Sequence, residues 1–218
     1  MFRSLHMKLM LILLLLITSL MTVVGAFLTT SVSKFYIDTF YQQMNDVFGA
    51  DNSSVVSDLR NAAEEDNAVE RISDILSTNA GNLGIDYNTR NYFVLDGQTG
   101  TFLSGSAGAS ELPREQTVNL LTARNAVALQ DDTMVGDKSD ITADYMDAAI
   151  PIFNGDNAYI IYILDNKETV SGLNAQLVMI ILQALVIGLL ISVLLSFLLS
   201  KAMVDPIERL TAGAEKGA

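Results

Sequence analysis

Two long apolar blocks stand out in the pattern of polar and apolar positions along the chain. No Asp, Glu, Lys or Arg occurs between Lys8 and Lys34, and none occurs between Glu168 and Lys201. Each charge-free block is longer than the roughly 20 residues that an α-helix needs to cross about 30 Å of hydrocarbon. The pattern therefore predicts two transmembrane helices.

The first block also has features of a secretory signal. Arg3 and Lys8 would form its basic region, and Val24-Gly25-Ala26 its small-residue cleavage site. The apolar run continues past Ala26, however, and is longer than the roughly 7 to 15 residues of a signal core. We therefore interpret it as a membrane-spanning helix.

Charges beside the two blocks predict the orientation of the chain. Arg3, His6 and Lys8 precede the first block without an acidic residue, and Lys201 directly follows the second. Because basic residues next to a span favour the cytoplasmic side, we expect both termini on that side of the membrane. The expected organisation is a cytoplasmic N-terminus (1–8), a first span (9–33), an extracytoplasmic domain (34–168), a second span (169–200) and a cytoplasmic segment (201–218).

Apolar residues recur at helical spacing between the two spans. They predict that the first helix continues to Gly49 and that a second helix starts at Asp51–Ser54, with a kink or turn at Glu64–Asn67. Pro113 predicts the start of a shorter helix. Its expected apolar face contains Val118 and Leu121, with Leu120 as a further candidate.

Strand-like runs flank two turn signals in the second half of this segment. The runs are Tyr92–Asp96 and Thr101–Leu103 around Gly97–Gly100, then Asp144–Ile152 and Ala158–Leu164 around Asn154–Asn157. Short Gly- and Asn-rich turns between such runs are typical of antiparallel hairpins. The segment is therefore predicted to be an α+β domain, whose last strand leads into the second span through Asp165–Glu168.

The segment between the spans is strongly acidic. Residues 34–168 contain 8 Lys and Arg against 22 Asp and Glu, a net charge of −14, compared with −12 for the whole chain. Such a surface disfavours nucleic acid as a partner and favours cationic ligands or divalent metals. The candidate metal ligands are Asp131, Asp132, Asp137 and Asp140. Their spacing does not match an EF-hand loop, and a solvated loop is the simpler interpretation.

The residue types of common catalytic sites are missing from the sequence. The chain has no Cys, its only His is His6, and it has neither a Ser-His-Asp set nor a phosphate-cradling Gly-Lys motif. Thiol chemistry and Cys-ligated zinc are therefore excluded. We expect no catalytic residue and no cofactor in this chain.

Small residues recur every four positions along the second block, at Ala184, Gly188, Ser192, Ser196 and Ser200. A weaker stripe of the same kind runs along the first block, at Thr18, Thr22, Ala26 and Thr30. Small residues let helix backbones approach closely in lipid. We expect the stripe of the second block to be the seam of a homodimer.

Residues 201–218, after the second span, have a pattern of their own. Pro206 follows the span and favours a helix start or kink, and Glu208 comes two residues later. The apolar or small residues Ile207, Leu210, Ala214 and Gly217 have the spacing of a coiled-coil seam. With these features the segment resembles the first helix of a HAMP linker. A complete HAMP linker has a connector and a second helix, so we expect this chain to be truncated. An incidental amphipathic tail is the alternative.

Residues 35–165 resemble the extracellular PAS-like (Cache) sensor domain of bacterial transmembrane receptors. In that family a long helix, continuous with the first span, precedes an antiparallel sheet. The resemblance implies a pocket for an unknown extracellular ligand on the sheet face toward the helices. The candidate polar contributors are Arg90, Tyr92, Tyr145 and Asp147.

Together these resemblances imply the sensory half of a sensor histidine kinase, which belongs to a two-component system in the bacterial plasma membrane. The phosphoacceptor histidine of that family follows the HAMP linker, where this chain has none. ATP, magnesium and a cognate response regulator are expected only for the missing kinase domain. The alternatives are the equivalent half of a methyl-accepting chemotaxis receptor and a membrane-anchored binding protein.

Overall fold

A computed structural model describes residues 5–49, 53–86, 88–107, 109, 117–136, 145–155, 157–166 and 168–199. The chain divides into two compact units. The helix-pair unit comprises Met1–Val32 and Gly172–Ala218, and the sheet unit comprises Ser33–Ser171.

Among the described residues, two helices are long and apolar enough to cross a membrane. They are α1, Leu5–Phe48, and α6, Glu168–Leu199. Threonine hydroxyls within α1 donate to carbonyl oxygens four residues earlier at 2.8 or 2.9 Å; they belong to Thr18, Thr22, Thr29 and Thr30. These bonds satisfy the hydroxyl groups without water, as an apolar environment requires. The helices have the length and composition predicted for the two spans.

The C-terminal part of α1 belongs to the sheet unit, where Phe40 and Met44 are fully buried. The helix ends at the predicted glycine, since the Gly49 N–H donates to the Asn45 carbonyl at 2.8 Å and the helix goes no further. Three shorter helices follow: α2 (Ser53–Ala62), α3 (Ala68–Thr78) and α4 (Ala80–Leu83). The polar residues between α2 and α3 form a turn, which confirms the break predicted there.

Four strands in the described part of the chain form one antiparallel sheet. They are β1 (Arg90–Asp96), β2 (Phe102–Gly105), β3 (Met146–Asn154) and β4 (Asn157–Asp165), in the order β2-β1-β4-β3. The hairpins β1-β2 and β3-β4 confirm the two predicted strand pairs. A third ladder, between β1 and β4, joins the hairpins and pairs Arg90 with Asp165. The α+β class is therefore confirmed.

Each face of the sheet covers its own hydrophobic core, because successive strand residues point to opposite faces. On the first face, Val94, Ile150 and Ile161 pack with α1, α2, α3 and α4. On the second face, Phe93 and Tyr162 pack with helix α5, which is Val118–Leu129. The sheet is thus buried on both sides, which explains the nearly continuous apolar runs of β1 and β4.

The predicted apolar face of α5 is wrong for two of its three residues. Val118 is 72% exposed and Leu121 is 45% exposed, whereas Leu120 is buried together with Ala123 and Val127. The helix is rotated so that Asn119 also faces the sheet, where its amide bonds a buried carboxylate. Thr117 is the N-cap, its hydroxyl accepting from the Leu120 N–H at 3.1 Å. Pro113 lies outside the described residues.

Candidate functional site

Arg90 is the centre of a buried polar cluster on the first face of the sheet, and it is the first residue of β1. Its Nε donates to Asp165 Oδ2 at 2.8 Å, and its Nη1 donates to Gln43 Oε1 and to the Leu83 carbonyl, both at 2.8 Å. The guanidinium carbon also lies 4.9 Å from the centre of the Phe40 ring, within cation–π range. One side chain therefore connects α1, α4, β1 and β4.

The surroundings of Arg90 keep it in this position. The Arg90 and Asp165 side chains are only 12% and 9% exposed, so their ion pair is largely desolvated. Gly84 closes α4 in the left-handed conformation at φ 64°, and a Cβ at this position would collide with Arg90 Nη1. Glycine is therefore required at residue 84 both by its backbone conformation and by the room that Arg90 needs.

Tyr92 lies on the same face as Arg90, two residues further along β1. It is 3% exposed, and its hydroxyl lies 3.1 Å from Ser77 Oγ and 3.4 Å from the Ser73 carbonyl oxygen. Tyr92 thereby attaches helix α3 to the sheet. Its hydroxyl is already bonded inside the core, so it acts here as a packing residue.

A second buried polar cluster lies on the opposite face, under α5. Asp147 is 3% exposed; its Oδ1 accepts from Asn119 Nδ2 at 2.7 Å, and its Oδ2 accepts from the Tyr162 hydroxyl at 3.1 Å. The Thr117 hydroxyl lies 3.2 Å from the Tyr162 oxygen. Because the Tyr162 hydroxyl hydrogen is used in the hydrogen bond to Asp147, the Thr117 hydroxyl is the donor in its contact with the Tyr162 oxygen. The cluster thus links the sheet to the N-cap of α5.

The environment of Tyr162 keeps its hydroxyl protonated. Burial is the largest cause, and the negative charge of Asp147 adds to it, so the pKa of Tyr162 is raised well above its ordinary value. Tyr145 contributes a smaller effect in the same direction and is itself 40% exposed. A protonated Tyr162 is the donor that a buried carboxylate needs.

The four predicted ligand contacts do not converge on one pocket. Arg90 and Tyr92 contact the helices of the first face, whereas Asp147 and Tyr145 adjoin the Tyr162 cluster of the second. Sequence reasoning missed Asp165, Gln43, Tyr162, Asn119 and Thr117. The signal for Asn119 is its position at helical spacing from buried Ala123 and Ala126, which places a polar residue on a buried face.

A groove of about 450 Å³ lies elsewhere in the sheet unit, between the C-terminal half of α5 and the turns of the two hairpins. Its lining includes Gln98, Arg124, Val127, Phe153 and Asn157. None of the four candidate ligand residues lines it. The predicted ligand contacts therefore stay a prediction.

Two of the four candidate metal ligands lie in the described chain, and both already have partners. Asp131 accepts from the Thr133 hydroxyl at 2.6 Å and from its N–H at 3.0 Å; these bonds lower the pKa of Asp131. Asp132 forms an ion pair with Arg60. Asp137 and Asp140 lie outside the described residues. Within the described ranges, no group of three or more His, Cys, Asp or Glu is arranged to hold a metal ion.

The small-residue stripe of α6 packs against α1 within one chain. A Cβ at Gly188 would lie 3.4 Å from Ile17, and one at Gly25 would lie 3.4 Å from Ile181. Ser192 and Ser196, which are 2% and 4% exposed, lie on the same face of α6. Ala184, one turn before Gly188 in the predicted seam, is partly buried. Ser200 of the seam lies outside the described part of the chain, as do the linker residues Pro206, Ile207, Glu208, Leu210, Ala214 and Gly217. The homodimer seam stays a prediction.

Comparison with known proteins does not identify a relative. No protein-family model, curated protein or solved structure matches the chain. Any assignment of function must therefore come from the geometry described above and from the resemblances found in the sequence.

Proposed function

We propose that this chain is the sensory and membrane-spanning half of a bacterial sensor histidine kinase. In this proposal the sheet unit is an extracytoplasmic PAS-like sensor, α1 and α6 are the spans, and both termini are cytoplasmic. Residues 201–218 begin a HAMP linker, and two copies form a homodimer. ATP, magnesium and a response regulator serve a kinase domain outside these residues.

The Arg90 cluster is the observation that carries the proposal. Gln43 and Phe40, which contact Arg90, belong to α1, the first candidate span. Asp165, its ion-pair partner, ends β4, and α6 begins at Glu168. A change in the sheet unit that releases or strains Arg90 is therefore passed along the chain into both spanning helices. Such a connection is what a transmembrane receptor needs.

The signal in this proposal is a shift between two packings of the protein. A ligand can shift that equilibrium only by the ratio of its affinities for the two packings, and a tenfold ratio corresponds to about 1.4 kcal/mol. A substitution that weakens one packing acts on the same equilibrium without ligand. Arg90 variants should therefore change the output of an attached kinase domain even when the natural ligand is unknown.

A chimera tests the proposal. The full chain is joined after residue 218 to the rest of the HAMP linker and the kinase domain of a well-characterised sensor kinase, and autophosphorylation with ATP is measured in membrane vesicles. We expect Arg90→Gln to change the phosphorylation rate about tenfold. Arg71→Gln is the matched control, because its ion pair with Glu65 spans 3.4 Å and both side chains are nearly half exposed. The control should leave the rate unchanged.

Two results would reject the kinase assignment. One is a chimera without autophosphorylation. The other is equal autophosphorylation rates for Arg90→Gln and Arg71→Gln when limited proteolysis shows that both sheet units are folded. A response of the same chain only when it is fused to the signalling domain of a chemotaxis receptor would favour the receptor class instead. No response in either fusion would leave a membrane-anchored binding protein.

A further inference from the structure

One face of helix α5 is uncharged and exposed to solvent. Val118 is 72% exposed and Leu129 is 80% exposed, and the exposed polar residues Thr122 and Asn125 lie between them. Their successive spacings of four, three and four residues place them in one line along the helix, as in the seam of a coiled coil. We call these four residues the α5 stripe.

The α5 stripe contrasts with the charge of the rest of the unit. Helix α5 contains no Asp or Glu, whereas α2 and α3 expose Asp58, Glu70 and Asp74. Two copies of a unit with a net charge of −14 repel each other wherever their carboxylates meet. The four side chains of the α5 stripe are uncharged, so they add nothing to this repulsion where two copies meet.

The charged residue of α5 and the described charged residues that follow the helix have contacts elsewhere in the sheet unit. Arg124 is the only charged residue of α5, and it turns toward the β1-β2 turn, where its Nη2 lies 3.4 Å from the Thr99 carbonyl oxygen. Beyond the end of the helix, Asp131 bonds Thr133 and Asp132 pairs with Arg60. No carboxylate therefore lies on the stripe itself.

We propose that the α5 stripe is an interface between two copies of this chain, with the two α5 helices antiparallel. A two-fold axis midway along the stripe places Val118 opposite Leu129 of the second copy and Thr122 opposite Asn125 of the second copy. Apolar side chains then meet at both ends and polar ones at the centre. The same surface serves both copies, as a closed two-fold dimer requires.

The central polar pair favours the antiparallel direction. The Thr122 hydroxyl donates its hydrogen to the Val118 carbonyl at 2.8 Å and keeps a lone pair as acceptor. The Asn125 side-chain amide of the second copy has hydrogens to donate to it. A parallel pair would bring Thr122 against Thr122, with neither hydroxyl hydrogen left to donate. Thr122 therefore meets a hydrogen-bond donor of the second copy only in the antiparallel arrangement.

This interface rests on the homodimer of the proposed function and adds a contact within the sheet unit. Disulfide crosslinking of the full chain in membranes tests it, because the natural sequence has no cysteine. Val118→Cys and Leu129→Cys chains with different tags are co-expressed. We expect crosslinked dimers that contain both tags, and at least tenfold fewer dimers when either variant is expressed alone. The single variants should crosslink poorly because residue 118 of one copy lies about 16 Å from residue 118 of the other along antiparallel helices, and the same holds for residue 129.

Two further sets of variants make the result specific. Glu70→Cys with Asp74→Cys, on the exposed face of α3, is the matched crosslinking control and should give only background. Added to the Val118 and Leu129 cysteines, Thr122→Glu/Asn125→Glu should reduce crosslinking about tenfold because four carboxylates then meet. Thr122→Lys/Asn125→Glu should preserve it, because the introduced lysine of each copy then faces the introduced glutamate of the other.

The outcomes separate this interface from the proposed function. Phosphorylation by the chimera without the mixed crosslink would overturn the α5 interface and leave the kinase assignment in place, and it would point to a different occupant of the stripe. The mixed crosslink in a chimera that never phosphorylates would support the interface and reject the kinase. The antiparallel arrangement would be overturned if Val118→Cys alone crosslinked as well as the mixed Val118→Cys and Leu129→Cys pair. It would also be overturned if Thr122→Glu/Asn125→Glu left the mixed crosslink at full yield.

Discussion

Replacing Arg90 by methionine is the most informative single change in the sheet unit. Methionine keeps most of the length of the side chain but removes its charge and its donors. The Asp165 carboxylate, whose side chain is 9% exposed, then remains buried without the guanidinium, and Gln43 and the Leu83 carbonyl each lose a hydrogen bond. Removal of one partner from a buried ion pair typically costs about 3–5 kcal/mol. We expect a loss of stability in that range.

A second substitution separates the free-energy cost of leaving Asp165 charged without Arg90 from the net contribution of the Arg90–Asp165 ion pair to stability. Arg90→Met/Asp165→Asn removes both charges, and replacement of a complete buried pair is often close to neutral. The double variant should therefore regain most of the loss, to within about 2 kcal/mol of the natural chain. Arg71→Gln, which breaks a surface pair, should cost less than about 1 kcal/mol.

Urea unfolding followed by pulse proteolysis measures these differences in the full chain, held in lipid nanodiscs. The protease cleaves the sheet unit only when that unit is unfolded, so the midpoint reports its stability. A cost for Arg90→Met as small as that of Arg71→Gln would refute the reasoning. So would a double variant as unstable as Arg90→Met alone, because the loss would then not come from the charge that Asp165 keeps when Arg90 is removed.

Two further predictions concern other polar groups of the sheet unit. Burial opposes ionisation of Asp86, but hydrogen bonds from the Thr89 hydroxyl and from the N–H groups of Arg90, Thr89 and Asn88 outweigh it and lower the pKa of Asp86 to about 2. This stabilisation is complete above the unfolded pKa near 3.8 and is lost as the pH falls through about 2. The stability difference between the natural chain and Asp86→Ala should therefore shrink between about pH 4 and pH 2. A difference that stays constant in acid unfolding curves would contradict this. Tyr162→Phe removes the hydrogen bond to Asp147 Oδ2 and should cost about 1–3 kcal/mol, with faster amide hydrogen exchange at the start of α5. Tyr159→Phe, on the opposite face of β4, is the control, and equal exchange in both variants would refute the role of the Tyr162 hydroxyl.

Local features of the fold could be predicted because their signals are short. Gly49 ends α1, and the Gly-rich turns at Gly97–Gly100 and Asn154–Asn157 fix where the two hairpins reverse. The charge-free blocks predict two helices of spanning length without any tertiary information. In each case one segment contains both the cause and the structural result.

The candidate site could be predicted only in part, because its partners are distant in sequence. Arg90 stands out as a charged residue at the start of an apolar strand, but the sequence places Asp165 in the connection to the second span. Only the full β1-β4 ladder brings the two residues into register. The rotation of α5 is a similar case, since it depends on Asp147, a strand residue that bonds Asn119. Apolar spacing alone favoured Val118 and Leu121 instead.

The position of β4 in the sheet has a consequence for biosynthesis. It is the last of the sheet's strands in chain order, yet it lies between β1 and β3 and forms ladders with both. The β1-β2 hairpin therefore has no neighbour on its inner side until the ribosome has made the chain through Asp165, and it must wait exposed while more than fifty residues are added. Folding of the sheet unit is thus delayed until synthesis reaches α6, and a nascent chain that stalls before β4 is an expected substrate for chaperones and proteases.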